Sequence, residues 1–401
     1  MTNTALRSEP HVGQRVRVVT AASLFDGHDA SINIMRRILQ AQGAEVIHLG
    51  HDRSVEEIAT AAVQEDAQAV AVSSYQGGHM EFFRYLVVRL AELGAPQVRV
   101  YGGGGGTITR EEAAALEALG VARIFRPEDG RALGIEGMIR SLLDACRPVA
   151  PPEPSEALAQ LSPRAPAPLA RLISWLESQA DAESEWVEAV RRQLDARRTR
   201  PAAPVIGFTG TGGAGKSSVM DELLARYRAE FPEHSVGLLL VDPTRRRTGG
   251  ALLGDRIRMN AIHGPRIFVR SLATRRAHLA VSRTVGDAVR VLQAADFDLV
   301  LVETAGIGQS DSEVVDLADC SVYVMTPEYG APSQLEKIDM LDMADFIVLN
   351  KFDRQGAEDA LRDVRKQWRR NRAAFEGSDA AIPVFASVAS RFNDPGTECF
   401  Y

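Results

Sequence analysis

The 401-residue chain reads as an α/β protein made of two doubly wound, parallel-sheet domains. Three observations predict this. Short apolar runs alternate with amphipathic stretches from Arg15 to about Arg147; a proline-rich stretch breaks the pattern over residues 147–168; and a new apolar run at 205–209 leads straight into a glycine-rich loop. Strands spaced by helices are the Rossmann-like or flavodoxin-like plan, in which ligands sit at the strand C-termini. Length agrees, since 401 residues exceed one ordinary core.

The first domain is expected at 1–147, with strands at 16–24, 45–49, 69–74, 97–101 and 122–125. Helices are expected at 32–42, 55–64, 80–93, 110–119 and 135–145, with Ile34, Met35, Ile38 and Leu39 on one face of the first. Gly43 falls where a helix C-cap would. Seven prolines between 147 and 168 predict a semi-rigid linker rather than packed structure. Residues 169–198 read as helical and charged, with Leu172, Ile173, Trp175, Leu176 and Trp186 as an apolar stripe expected to pack on the following domain. Residues 148–200 therefore separate the first domain from a second at 201–401.

Composition is globular: 45% hydrophobic, 25% charged, net charge −7. No field of one sign would attract a polyanion, which argues against a nucleic-acid partner. Arginine clusters at 245–247, 275–276 and 369–370 read as solvated faces, unless the first lies beside the nucleotide site. Three scattered cysteines (Cys146, Cys320, Cys399) make neither a disulfide framework nor a metal site. No long apolar run or signal-peptide pattern is found, so no membrane role and a cytoplasmic location are expected.

Residues 210–217 read Gly-Thr-Gly-Gly-Ala-Gly-Lys-Ser, a complete phosphate-binding loop between strand and helix. Backbone N–H groups of Gly212, Gly213, Ala214 and Gly215 can approach the phosphates, helped by the helix N-terminus. Lys216 is expected to reach the β/γ-phosphates and Ser217 to ligate Mg²⁺. A strand ending in Glu303, before Thr304-Ala305-Gly306, delivers a carboxylate to the metal, while Gly306 lets backbone meet the γ-phosphate. Asn350-Lys351-Phe352-Asp353 selects guanine: the Asp353 carboxylate is acceptor-only and matches the ring N–H and the exocyclic amine. Adenine would leave that carboxylate unpaired. Ser387, after an expected strand at 382–385, is positioned to meet the guanine carbonyl through its backbone. Between these motifs lie Asp242-Pro243-Thr244 and the segment 248–259, read as mobile; Asp242 and Asp255 serve either as Mg²⁺ ligands or as solvated loop carboxylates.

Asp26-Gly27-His28 follows the first strand, where a carboxylate two residues earlier can orient a metal-ligating imidazole. Ser73-Ser74-Tyr75 ends the third strand and Gly102–Gly106 the fourth, leaving room for a slot between strands. This set resembles the cobalamin-binding domain of acyl-CoA mutases and methionine synthase. The resemblance implies that His28 ligates cobalt, Asp26 bonds to His28, and Ser73, Gly102 and Gly103 line the pocket for the nucleotide tail. Two positions depart from that family: Ser31 stands at its usual glycine and Tyr75 at its usual leucine.

The second domain resembles the G-protein chaperones of methylmalonyl-CoA mutase through its phosphate loop, Asp-Pro-Thr, Thr-Gly-Gly-Ala-Leu-Leu-Gly-Asp, Glu-Thr-Ala-Gly and Asn-Lys-x-Asp. That resemblance implies Mg²⁺ ligands Ser217, Asp242, Asp255 and Glu303, with Arg258 near the phosphates, and catalysis of GTP hydrolysis by Lys216 and Glu303. Cobalamin domain first and G domain second is the order of the fused isobutyryl-CoA mutase family, of which this chain resembles the N-terminal part. The implied cofactors are adenosylcobalamin, Mg²⁺ and GTP; the implied partners are an acyl-CoA mutase barrel, an adenosyltransferase as donor and a second copy in a homodimer. No barrel is present, and the end at Tyr401 looks like a break, since a closing helix is expected to cover the last strand. Two other readings share the G-domain plan: a stand-alone cobalamin-responsive GTPase regulator and a metallochaperone GTPase.

Overall fold

The computed structural model describes residues 15–28, 30–146, 154–180, 184–199, 201–243, 250–274, 278–304, 313–330, 335, 338–374 and 378–401. The chain divides into two units, one formed by residues 1–161, 165–194 and 244–252, the other by the remainder. Both are α/β with parallel strand pairing.

In the first unit, β1 (Arg17–Ser23), β2 (Glu45–Arg53), β3 (Ala69–Ser73), β4 (Arg99–Gly103) and β5 (Arg123–Phe125) alternate with α1 (Ala30–Ala41), α2 (Val55–Gln64), α3 (His79–Glu92), α4 (Arg110–Ala118) and α5 (Pro127–Ala145). Strand order is 5-4-3-1-2, so the winding reverses between β1 and β3, and the loops that follow these two strands open a crevice. Local signals set the boundaries. Ser54 with Glu57 and Thr109 with Glu112 form capping boxes at α2 and α4, each cap worth about 1 kcal/mol. Gly43 takes φ 95° after α1, the left-handed turn expected of it. Helix α5 begins earlier than expected, at Pro127, because it kinks at Gly134 (φ 65°) and joins two helical pieces. Strand β2 outruns its expected end to carry Asp52, whose Oδ1 accepts from Phe25 N at 2.7 Å.

The proline-rich segment is not a bare linker in its described part. Helix α6 (Pro154–Ala159) buries Ala157 and Leu158, and Pro166 opens α7 (Pro166–Ser178) at the N1 position that tolerates a missing N–H. Helix α7, expected with the following domain, groups instead with the first unit and lies on α2. A buried ion cluster holds it there. Arg17 on β1 donates Nε to Glu45 (2.9 Å), Nη1 to Glu65 (3.5 Å) and Nη2 to both oxygens of Glu177 on α7 (3.1 Å each). Burial opposes the Arg17 charge, but the carboxylates of Glu177, Glu45 and Glu65 outweigh it and raise its pKa. Helix α8 (Glu185–Arg197) follows, with Trp186 edge-on to Trp175 at 4.9 Å.

The second unit builds on β6 (Val205–Gly210), α9 (Lys216–Glu230), β7 (Val236–Pro243), β9 (Ile267–Thr274), α10 (His278–Ala294), β10 (Leu299–Glu303), β11 (Cys320–Met325), β12 (Phe346–Asn350) and β13 (Val384–Ser387), in sheet order 13-12-11-6-10-7-9. The strand between β7 and β9, β8 (Ala251–Leu253), is instead the outer strand of the first sheet, beside β2. The described part of the segment read as mobile thus has regular structure, with a short 3-10 turn at Asp255–Arg258. The final strand is not bare: the helix Pro395–Phe400 lies on β13 and α9, capped by Asp394, whose side chain accepts from Thr397 N. All three cysteines are free thiols. Among the described residues no helix is long and apolar enough to cross a membrane.

Candidate functional site

Two sites lie at strand C-termini, one in each unit. In the first, β1 ends in a turn that buries Asp26 completely. Oδ1 of Asp26 accepts from the His28 backbone N and lies 2.9 Å from His28 Nδ1; Oδ2 accepts from Tyr75 N at 2.6 Å. A carboxylate accepts only, so Nδ1 is the donor, and in the neutral ring this leaves the lone pair on Nε2. Among the described residues Nε2 has no partner, and the His28 side chain is 69% exposed. A carboxylate that holds one ring nitrogen in this way turns the other outward, the arrangement usual for metal-ligating imidazoles.

Beside it a cavity of about 470 Å³ opens between the sheet, α1 and α5, lined by Ile32, Met35, Phe125, Met138 and Leu142 among others. It is large enough for a long organic moiety and mostly apolar. Ser73 lines it with a buried hydroxyl that has no hydrogen-bond partner, so a polar group of a ligand could satisfy it. Gly102 and Gly103 line it too, but the reason for glycine at 102 differs from the slot expected: an added Cβ would strike Phe83 Cζ at 2.5 Å and Ile124 Cδ1 at 2.7 Å, which are not cavity residues. Gly104 is equally constrained, by Ser74 O at 2.0 Å. At 102 and 104 the pocket floor is bare backbone because packing outside the cavity demands glycine.

In the second unit, β6 runs into the phosphate loop and α9 starts at Lys216, with Gly213 (φ 76°) and Gly215 (φ 91°) in the left-handed region. Lys216 Nζ donates to Gly210 O (3.2 Å) and Lys351 Nζ to Gly213 O (2.7 Å). Asn350 Nδ2 donates to Ala214 O (2.8 Å), while its Oδ1 accepts from Ala389 N (3.1 Å). The Asn-Lys-x-Asp tetrad therefore braces the phosphate loop, a role that spacing alone did not reveal. Ser217 Oγ donates to Glu303 Oε1 at 2.9 Å. Glu303 is 3% exposed, its other oxygen Oε2 has no partner, and burial pushes its pKa up against the pull of Lys216, Ser217 and Arg258. A hydroxyl and an unsatisfied buried carboxylate oxygen are ligand types that hard divalent cations take.

Asp353 is exposed with no hydrogen-bond partner among the described residues, and Phe352 is packed against the β11–β12 core. Ser387 differs from expectation. It ends β13 rather than following it, its carbonyl accepts from Phe352 N (3.0 Å), and its hydroxyl lies 2.7 Å from Thr397 Oγ1, so these two groups brace the tetrad loop and the closing helix. Asp242 is buried at the penultimate position of β7. Arg258 is exposed and near enough to Glu303 to favour its charged form. The Asp255 side chain, Thr244, Thr248, Gly249, Ala305, Gly306 and the arginines at 245–247 and 275–276 lie outside the described residues. Arg369 instead pairs with Asp379 at 2.8 Å on the solvent side of its helix.

Fold and geometry define a doubly wound α/β domain with an exposed histidine beside an apolar cavity, joined to a P-loop nucleotide domain. Residues 16–134 match the B12 binding domain and residues 169–391 match Methylmalonyl Co-A mutase-associated GTPase MeaB. The chain belongs to the MeaB GTPase family, with a B12-binding domain ahead of the GTPase domain. It is similar to the fused isobutyryl-CoA mutase of Geobacillus kaustophilus, 55% identical over 390 residues, or 96% of this chain and 36% of that protein. Those of Cupriavidus metallidurans (54%, 96% and 35%) and Nocardia farcinica (54%, 96% and 35%) are alike. The chain spans about a third of the length of these curated relatives.

Proposed function

We propose that the chain binds adenosylcobalamin through His28 and binds and hydrolyses Mg²⁺-GTP in its second domain, acting as the cofactor-loading portion of a fused acyl-CoA mutase of the isobutyryl-CoA type. The observation that carries the first half is the Asp26–His28 pair, which leaves Nε2 unpartnered beside an apolar cavity containing an unsatisfied Ser73 hydroxyl. The second half is supported by Glu303 Oε2, a buried oxygen without a partner next to the Ser217 hydroxyl.

When bound, the cobalt–carbon bond of adenosylcobalamin supplies radical chemistry for a mutase barrel. This chain's own residues do the rest. Asp26 orients His28 and fixes its tautomer; Ser73 and the glycine floor receive the tail; Ser217 and Glu303 hold Mg²⁺, with Asp242 and Asp255 as further oxygen donors. Lys216 leaves Gly210 O for the phosphates, and Asp353 reads guanine. GTP turnover in this reading gates cofactor transfer to the mutase in the cytoplasm, with an adenosyltransferase as donor and a homodimer as the working form.

His28→Ala tests the assignment. The bound corrinoid should lose the absorbance of an imidazole-ligated cobalt, and an unchanged spectrum would reject His28 as ligand. On the nucleotide side, Asp353→Asn should lower affinity for GTP and raise it for xanthosine triphosphate, whose C2 carbonyl matches an amide donor.

A further inference from the structure

We propose that Tyr75 and Ser31 form a positioning pair that fixes the imidazole of His28 and so sets how strongly this histidine holds a cobalt corrinoid. The inference rests on the reading of the first domain given above.

His28 is poorly restrained by itself. Its side chain is 69% exposed, and its ring nitrogens make one hydrogen bond among the described residues, Nδ1 to Asp26. One bond leaves the ring free to turn about that contact. Tyr75 supplies the other restraint. Its ring lies 5.5 Å from the His28 ring, centroid to centroid, at a tilt of 41°. The Tyr75 ring is in turn held at both ends. Its backbone N–H donates to Oδ2 of the same Asp26 that holds His28, and its hydroxyl lies 2.6 Å from Ser31 Oγ in the first turn of α1. It also lies against the loop after β4, so closely that a Cβ on Gly105 (φ 58°) would sit 2.4 Å from it.

Asp26, His28, Tyr75 and Ser31 thus form a closed chain of contacts from the end of β1 through the end of β3 to the start of α1. A ligand that must be ordered on binding loses affinity for the ordering, about 0.5–1.5 kcal/mol per mobile side chain, which is roughly two- to tenfold in Kd. Removing the tether should cost about that.

The test uses the full chain and hydroxocobalamin as probe. Equilibrium titration gives Kd, and the absorbance spectrum gives the fraction of bound corrinoid with imidazole rather than water on cobalt. Ser31→Ala and Tyr75→Phe, which keep the ring and break the hydroxyl contact, should each weaken binding about threefold. Their double variant should be no worse than either alone, because both remove one shared contact. Tyr75→Leu should weaken binding by about tenfold and lower the imidazole-ligated fraction, a change that loss of stability alone would not produce. Unchanged Kd and full imidazole ligation in Ser31→Ala and Tyr75→Phe would overturn the pair, as would fully additive effects. Thermal unfolding of each variant identifies any that fail to fold; the two conservative variants then decide. If His28→Ala leaves the wild-type spectrum unaltered, the underlying reading falls and the pair with it, which is distinct from a wild type that ligates normally while the variants do too.

Discussion

The two sites are made in opposite ways. In the first unit the ligand space exists because side chains are missing or turned away: glycines 102–105 expose backbone, apolar residues of α1 and α5 face the sheet, and one buried carboxylate steers one imidazole. In the second unit the phosphate loop is gripped by side chains, with Lys216, Asn350 and Lys351 all bonded to its carbonyls. A shape-built site is sensitive to volume and a bond-built site to single polar groups. Each therefore fails under a different kind of substitution.

Breaking the frame of the first unit should have the largest effect. Arg17→Ala would strand three buried carboxylates and cost about 3–5 kcal/mol, seen as a lower urea midpoint for this unit. A shift below 1 kcal/mol would mean that the cluster contributes little. Next, Lys216→Ala should reduce GTP hydrolysis by about 10²–10³-fold in a phosphate-release assay while leaving folding intact; undiminished turnover would refute the assignment of the loop. Glycine exchanges sharpen the contrast. Gly102→Ala forces a Cβ into Phe83 and Ile124 and should cost about 1–3 kcal/mol. Gly212→Ala meets nothing within 4 Å, so stability should hold while GTP affinity falls. Equal thermal shifts in the two variants would contradict the distinction.

The smallest effect concerns the helix that closes the second sheet. Burial would raise the pKa of Asp394, but bonds from Val388 N, Thr397 N and Thr397 Oγ1 outweigh it and lower it. A depressed carboxylate contributes stability that is present above its unfolded value and lost as pH falls through its folded one. Asp394→Ala should cost about 1 kcal/mol at neutral pH and nothing in strong acid. A constant difference across that range would remove the charge from the account.

Much of this was readable in advance for a physical reason: motifs and periodicities are local. The phosphate loop, the guanine tetrad, Asp26–His28 and the helix α2 at residues 55–64 each depend on neighbours a few residues away. What escaped was long-range. Arg17 and Glu177 are 160 residues apart, and no pattern marks them as partners. The proline-rich stretch looked like linker because composition cannot report that Leu158 and Leu161 find a surface to bury against. The closing helix at Pro395–Phe400 was hidden by its shortness and its embedded proline and glycine.

The sequence by itself determined two doubly wound sheets, a phosphate loop, an Asn-Lys-x-Asp turn and a histidine poised by a carboxylate, since short-range spacing and backbone preference suffice for these. Only the tertiary structure decided why glycine stands at 102, that Lys351 and Asn350 brace the phosphate loop, that Ser387 turns inward, that α7 rests on the first sheet's helices and that β8 edges that sheet. Each of these depends on which surfaces meet once the chain has folded, and a contact between distant segments leaves no local trace.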